Sequence, residues 1–150
     1  MKHTKLMSAV CGLAFVGTLA VGAQASETAQ YTIVDETIPT SLTGKPGDAA
    51  NGKKVVISRK KGNCLACHVM PIPEQQFHGK TGPDLHGVAE HYDEASMRMR
   101  IVDAHVIHPN TMMPSFYRTG QHRVLKKFQG KTILSAQEVE DVVAYMMTLK

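Results

Sequence analysis

Three stretches of the chain have apolar residues at helical spacing, and the last of them is the clearest. Ser135 and Glu138 have the spacing of a capping box at its start. Glu138 and Asp141 fall off its apolar stripe and are expected to face solvent. The stripe predicts a C-terminal helix with one buried face, formed by Val139, Val142, Val143, Met146 and Leu149.

A middle helix is predicted to begin at residues 93–96, where acidic side chains favour the positive end of the helix dipole. It must end before Pro109, because the residue before a proline resists helical geometry. Arg98 and Arg100 are expected to face solvent, since the core stripe consists of Met97, Ile101, Val102 and His105.

A first helix is predicted to start after Asp48, a suitable N-cap, and to end near Gly62-Asn63. Residues 26–47 contain several helix breakers, so we expect an irregular N-terminal arm with a short extended piece at Ile33-Val34. Because little strand signal appears elsewhere, the pattern predicts an all-α domain over 48–150.

Residues 1–25 have the features of a secretory signal peptide. A basic start precedes an apolar run that is too short to span a membrane, and Ala23-Gln24-Ala25 offers a cleavage site. We expect cleavage after Ala25, which also removes Cys11, and therefore a periplasmic protein without a membrane span. A retained membrane anchor is the alternative.

The formal net charge is +4, from 17 Lys and Arg against 13 Asp and Glu. This mild excess does not indicate a nucleic-acid-binding protein. Basic clusters at 59–61 and at 123, 126 and 127 are predicted to be solvated surface. The alternative is a basic rim that attracts an acidic redox partner.

Cys64-Leu65-Ala66-Cys67-His68 is the most specific chemical signal in the chain. In a C-x-x-C-H motif, two thiols can bind the vinyl groups of one haem, and the next histidine can ligate its iron. Signal cleavage leaves no other cysteine, which predicts one covalently attached haem c. The alternatives are a redox dithiol and half of a zinc site, and the sequence lacks the context that either needs.

A loop rich in Gly and Pro follows at 82–87 and is expected to lie against the histidine. There the Pro83 carbonyl can accept a hydrogen bond from the second ring nitrogen of His68. Such a bond fixes the orientation of a ligating imidazole, so Pro83 is a candidate member of the haem site.

The second axial ligand of the iron distinguishes functions, because methionine ligation suits electron transfer and an open position suits gas binding. Met112 and Met113 lie in the long loop before the last helix. We favour Met113 because Pro114 restricts the backbone beside it, with Met112 as the runner-up. His105 and His108 are the competing histidines.

The order of motifs in this chain resembles that of class I cytochromes c. The haem motif comes first, followed by Gly82-Pro83-Asp84-Leu85 and then by Met113-Pro114 before a C-terminal helix. The stretches at 100–103, 111–117 and 134–145 extend the likeness to the SoxX family, the monohaem subunits of SoxAX complexes. Residues 26–47 match no family pattern.

The resemblance implies the electron-transfer subunit of an L-cysteine S-thiosulfotransferase, in which a SoxA-like haem subunit performs the sulfur chemistry. Its other implied partners are a carrier protein whose cysteine receives thiosulfate and a downstream acceptor cytochrome. We expect docking at a haem edge flanked by residues 113–117, because aromatic residues favour interfaces. The alternatives are a freely diffusing cytochrome that serves a terminal oxidase and a gas-binding sensor.

We expect the mature protein to begin at Ser26 and to carry one haem that survives acid-acetone extraction, because thioether bonds resist it. Replacing Cys64 and Cys67 with alanine should abolish haem retention, as read from mass and optical spectra. Recovery of stably folded, haem-free wild-type protein from the periplasm would contradict this attachment.

Overall fold

The computed structural model of the protein describes residues 28–120 and 124–150. The predicted signal peptide, its cleavage after Ala25 and Cys11 lie outside these residues, as does Arg123. Those assignments remain predictions from the sequence.

In the part of the chain that the structure describes, four α-helices form: α1 (Ala49–Ile57), α2 (Val88–His91), α3 (Glu94–Asp103) and α4 (Ala136–Met146). Single 3₁₀ turns span Cys64–Ala66 and Lys126–Phe128. Within the same residues there is no strand and no helix long and apolar enough to cross a membrane. The predicted all-α class is confirmed.

Side chains cap three of these helices, and the sequence predicts two of the caps, those of α1 and α4. The Asp48 and Asp93 carboxylates accept hydrogen bonds from first-turn N–H groups of α1 and α3. Ser135 and Glu138 form the reciprocal capping box at the start of α4. These bonds satisfy N–H groups that have no partner within the helix.

The first helix ends at Ile57, so the predicted end near Gly62-Asn63 is wrong. The Ser58 N–H closes the helix by donating to the Val55 carbonyl, and Ser58 itself has an extended backbone. The chain then turns back so tightly that a Cβ on Gly62 would lie 2.8 Å from the Val55 oxygen. This turn, rather than a longer helix, leads into the cysteine motif.

Helices α1 and α4 approach backbone to backbone at Gly52. A Cβ there would lie 1.9 Å from the Asp141 carbonyl oxygen, so glycine is required for the contact. Gly47 has the same relation to the Glu140 carbonyl, at 2.1 Å. The predicted apolar stripe of the C-terminal segment is confirmed as buried: Val139, Val142, Val143, Met146 and Leu149.

The predicted core stripe of α3 is confirmed for Met97, Ile101 and Val102, which are buried. His105 lies beyond the end of the helix and is half-buried. The helix ends at Asp103, well before Pro109, as the proline rule requires.

The prediction that Arg98 faces solvent is wrong, because only 3% of this residue is exposed. Its guanidinium forms a bidentate ion pair with buried Glu140, with Nε 2.9 Å from Oε1 and Nη2 3.0 Å from Oε2. Arg98 also donates to the Ile38 carbonyl, and Glu140 accepts from the Leu42 N–H. The pair is buried because it satisfies polar backbone groups of the N-terminal arm, which helical periodicity does not reveal.

The N-terminal arm has no helix among residues 28–47 but packs closely against the helices. Ile38 and Leu42 are buried and belong to the hydrophobic core. Ile33 and Val34 are exposed, and the predicted extended piece amounts to one bridge between Val34 and Thr37. The described part of the arm therefore lacks regular secondary structure, but its side chains pack into the core of the domain.

The prediction that Asp141 faces solvent is also wrong, because only 3% of this residue is exposed. Its carboxylate accepts hydrogen bonds from the Asp48 N–H at 2.8 Å, the Asn51 amide at 2.6 Å and the Gln137 amide at 3.0 Å. Burial raises the pKa of this carboxyl, but the three hydrogen bonds outweigh burial and hold the pKa below its ordinary value. Asp141 thereby joins the start of α1 to α4.

Replacing Asp141 with asparagine should lower the free energy of unfolding at neutral pH by about 1–3 kcal/mol, because an acceptor is exchanged for a group that also donates. The native pKa is depressed, so the stabilisation is present above the ordinary value of 3.8 and is lost as the pH falls through the native pKa. In urea unfolding, the difference between wild type and Asp141→Asn should therefore shrink from neutral pH to about pH 3. A difference independent of pH would contradict the role of the charge.

Candidate haem site

The motif residues Cys64, Cys67 and His68 lie on one tight turn that follows Asn63, whose φ is +50°. The N–H groups of Cys67 and His68 both donate to the Cys64 carbonyl, at 3.1 and 2.9 Å. This shared acceptor brings all three side chains to the wall of one cavity.

The cavity has a volume of about 560 Å³. It lies between the motif turn, the loops at 81–85 and 111–114, and the inner faces of α3 and α4. Its lining is mainly apolar and includes Leu85, Val88, Met97, Ile101, Ile107, Phe116, Leu134, Val142 and Met146. Such a cavity fits a large apolar ligand that is attached at one place by thiols and an imidazole.

The loop at 79–85 is tied to the motif by three backbone hydrogen bonds. They join Gly79 to Leu65, Gly82 to Cys67 and Leu85 to Val69, at 2.7, 2.8 and 2.9 Å. In this arrangement the Pro83 carbonyl oxygen lies 2.8 Å from Nδ1 of His68. Because a carbonyl can only accept, the His68 proton belongs on Nδ1, and Nε2 keeps a free lone pair.

Gly82 packs directly against the His68 ring. A Cβ at Gly82 would lie 2.4 Å from Cε1 and 2.8 Å from Nε2 of that ring, so a larger residue would displace the imidazole. Gly82 and the Pro83 carbonyl together fix where His68 lies and which nitrogen it can offer to a metal.

Comparison with known proteins agrees with this geometry. The family model for cytochrome c matches residues 49–150. The chain belongs to the cytochrome c family. A chain in the crystal structure of SoxXA from P. pantotrophus is 36% identical, with a TM-score of 0.73, and the match covers 80% of this chain and 94% of that one. Cytochrome c2 from Rhodospirillum rubrum is 32% identical over 122 residues, which are 69% of this chain and 99% of that protein. These matches identify a SoxX-like class I cytochrome c.

A cytochrome of this family holds haem c covalently, and the cavity fits that group. Cys64 and Cys67 would supply the thioether sulfurs, and Nε2 of His68 would supply a nitrogen ligand for the iron. The apolar lining suits a porphyrin, and the Gly82 contact leaves the imidazole one position. When bound, haem c provides an iron centre that gains or loses one electron.

The Cys64 thiol lies in an environment that opposes ionisation. Burial raises its pKa to about 12. A redox dithiol depends on a thiolate with a lowered pKa. The site therefore does not favour the dithiol alternative.

Met112 and Met113 both line the cavity, but their exposure differs. Met112 is 80% exposed, whereas Met113 is half-buried and packs against the core. The Met113 N–H donates to the Thr111 hydroxyl at 3.2 Å, which restrains its backbone. These contacts favour Met113 as the proposed second axial ligand, with Met112 as the runner-up.

The other candidate ligands occupy different environments. Met97 and Met146 line the cavity from buried helical faces, as expected for core packing. His108 is exposed where it lines the cavity. His105 instead places Nδ1 at 3.2 Å from the Ser115 hydroxyl, so it has a partner away from the cavity.

Arg100 lines the cavity and is half-buried, so the prediction that it faces solvent is wrong. Its guanidinium lies 3.9 Å above the ring centre of Tyr92, another lining residue, and donates to the Ser96 carbonyl. Tyr92 precedes α3, so the periodicity of that helix does not indicate this contact. The pair adds one positive charge to an otherwise mainly apolar wall.

The aromatic residues of the 113–117 loop face inward. Phe116 and Tyr117 are 6% and 4% exposed, so the prediction that they flank a docking surface is wrong. Both side chains belong to the hydrophobic core, and their backbone N–H groups bond to carbonyls of α3. Met112 and Pro114 are the exposed residues at this part of the cavity rim.

The oxidised protein should show the weak near-infrared band that marks sulfur ligation of haem iron. Met113→Ala should lose this band, whereas Met112→Ala should keep it, because the Met112 side chain lies mainly in water. Near-infrared absorption of the two ferric variants tests this pair directly. The reverse result assigns Met112, retention in both assigns another methionine, and absence from wild type favours His105 or His108.

Proposed function

We propose that this cytochrome is the electron-transfer subunit of a SoxXA-type L-cysteine S-thiosulfotransferase in the periplasm. A SoxA-like haem subunit joins thiosulfate to a cysteine of a carrier protein. This chain accepts the released electrons and passes them to a downstream acceptor cytochrome.

The observation that most supports this role is the match to a chain of SoxXA. It extends over 94% of that chain at 36% identity, so it includes the regions outside the haem motif. The motif alone is common to many c-type cytochromes. A match of this extent depends on more than the motif and therefore supports this proposal.

The cysteines of the chain support a division of labour between subunits. Forming a sulfur–sulfur bond between a carrier thiol and thiosulfate releases two electrons and a proton. Cys64 and Cys67 are the cysteines within the described residues, and both serve haem attachment in this proposal. The sulfur chemistry therefore belongs to the partner subunit, and this chain receives electrons one at a time.

A basic surface beside the motif turn supports docking of an acidic redox partner. Lys127 donates to the Lys60 carbonyl at 3.2 Å, so the two basic clusters touch there, while Lys61 forms an ion pair with Glu138. Gly62 and Asn63, which follow the first cluster, line the haem cavity. Positive charge at this place would steer an acidic acceptor toward the haem edge.

The second candidate is a freely diffusing cytochrome that carries electrons to a terminal oxidase. It is supported by the likeness to cytochrome c2, which covers 99% of that protein. Stable association with a second haem protein distinguishes the two, because a mobile carrier must leave its partner after each transfer.

We expect the chain, purified from cells grown on thiosulfate, to come as a heterodimer with a second haem protein. Thiosulfate plus carrier protein should reduce the haem of this chain in the heterodimer and leave the isolated chain oxidised. Dithionite reduction of the isolated chain is the control that its haem remains accessible. The measurement is the stopped-flow rise of the reduced haem absorbance.

Two results would contradict the proposal. Equal rates of thiosulfate-dependent reduction in the isolated chain and in the heterodimer would remove the division of labour. Purification as a monomer under every growth condition would favour the mobile carrier.

A further inference from the structure

The loop that follows Met113 is attached to the C-terminal end of α3. The N–H groups of Phe116 and Tyr117 donate to the Ile101 and Val102 carbonyls, at 3.1 and 3.2 Å. Carbonyls in the last turn of a helix have no partner within the helix, so they are free to bind a neighbouring segment. Two hydrogen bonds thus attach the loop backbone directly to the end of α3.

A buried carboxylate reinforces this attachment. Asp103, the last residue of α3, is 5% exposed. Its Oδ1 accepts hydrogen bonds from the Ser115 hydroxyl at 2.6 Å and from the His105 N–H at 3.2 Å. Its Oδ2 accepts from the Arg118 guanidinium at 3.0 Å. A buried charge requires such partners, so removing the charge weakens every segment that binds it.

Ser115 connects Asp103 to the proposed iron ligand. Its side chain is 1% exposed, and its hydroxyl donates to Asp103 while lying 3.2 Å from Nδ1 of His105. Pro114 stands between Ser115 and Met113 and limits the rotation of the connecting backbone. Met113 is therefore separated from a fixed hydrogen bond by one rigid residue.

We propose that Asp103 is a positioning residue for the Met113 ligand, acting through the Ser115 hydroxyl. The hydrogen bond holds the loop closed, so that the Met113 sulfur stays at the cavity and external ligands are kept from the iron. This proposal rests on Met113 as the second axial ligand.

Asp141 provides a matched control for a purely structural role. Like Asp103, it is a buried carboxylate with three hydrogen-bond donors around it. Its donors belong to the start of α1 and to α4 rather than to the 113–117 loop. Asp141→Asn should therefore reduce stability without changing access to the iron.

The experiment titrates ferric wild type, Asp103→Asn, Ser115→Ala and Asp141→Asn with imidazole, which competes with a weakly held methionine. Loss of the hydrogen bond should make imidazole bind about tenfold more tightly in the first two variants, equivalent to about 1.4 kcal/mol. Asp141→Asn should bind imidazole as wild type does, although it unfolds at lower urea. The near-infrared band, recorded in parallel, should weaken in the first two variants alone.

Imidazole affinity unchanged in Ser115→Ala would overturn the proposal, and this variant decides the matter if Asp103→Asn fails to fold. An equal gain in affinity in Asp141→Asn would also overturn it, because the effect would then be general destabilisation. Absence of the band from wild type would overturn the Met113 assignment on which the proposal depends. Each of these results is independent of whether a partner subunit is found, so the proposed function is tested separately.

Discussion

The close approach of α1 to α4 at Gly52 sets the geometry on which the haem cavity depends. With no side chain between them, the helix backbones touch, and the end of α1 is held at a fixed distance from α4. The turn after α1 then leads directly into the cysteine motif, while Val142 and Met146 of α4 line the same cavity. A larger residue at Gly52 would separate the attachment residues from the apolar wall that receives the ring, because its Cβ cannot fit beside the Asp141 carbonyl.

Three buried carboxylates complete this architecture, and each holds a different segment. Asp141 binds the start of α1, and Glu140 binds the N-terminal arm together with Arg98. Asp103 binds the loop that contains the proposed methionine ligand. Each carboxylate replaces the water that it loses on burial with several hydrogen bonds, which makes its position specific. The apolar core supplies most of the driving force for folding, and these groups decide which loops lie against it.

The contacts that hold His68 and Met113 in place also suit an electron-transfer site. His68 is restrained by Gly82 and the Pro83 carbonyl, and Met113 by contacts on both sides of the loop. With His68 and the proposed ligand Met113 both on the iron, the haem would exchange electrons without binding substrate, which suits the proposed subunit of a larger complex. In that proposal, the exposed rim residues and the adjoining basic surface would be the places where a partner approaches.

The sequence by itself determined the features that depend on neighbouring residues. The caps at Asp48 and Ser135, the start of α3, the α4 stripe and the all-α class follow from local hydrogen bonding and periodicity, and the haem motif follows from its spacing. Tertiary structure alone decided the burial of Arg98 and Asp141, the early end of α1, and the inward position of Phe116 and Tyr117. Ser58 closes α1 locally, but the other residues have partners from different elements: Arg98 meets Glu140 and Ile38, and the loop meets the end of α3. Periodicity reports which residues share a helical face, whereas a polar residue on that face is buried only where the fold brings it a partner.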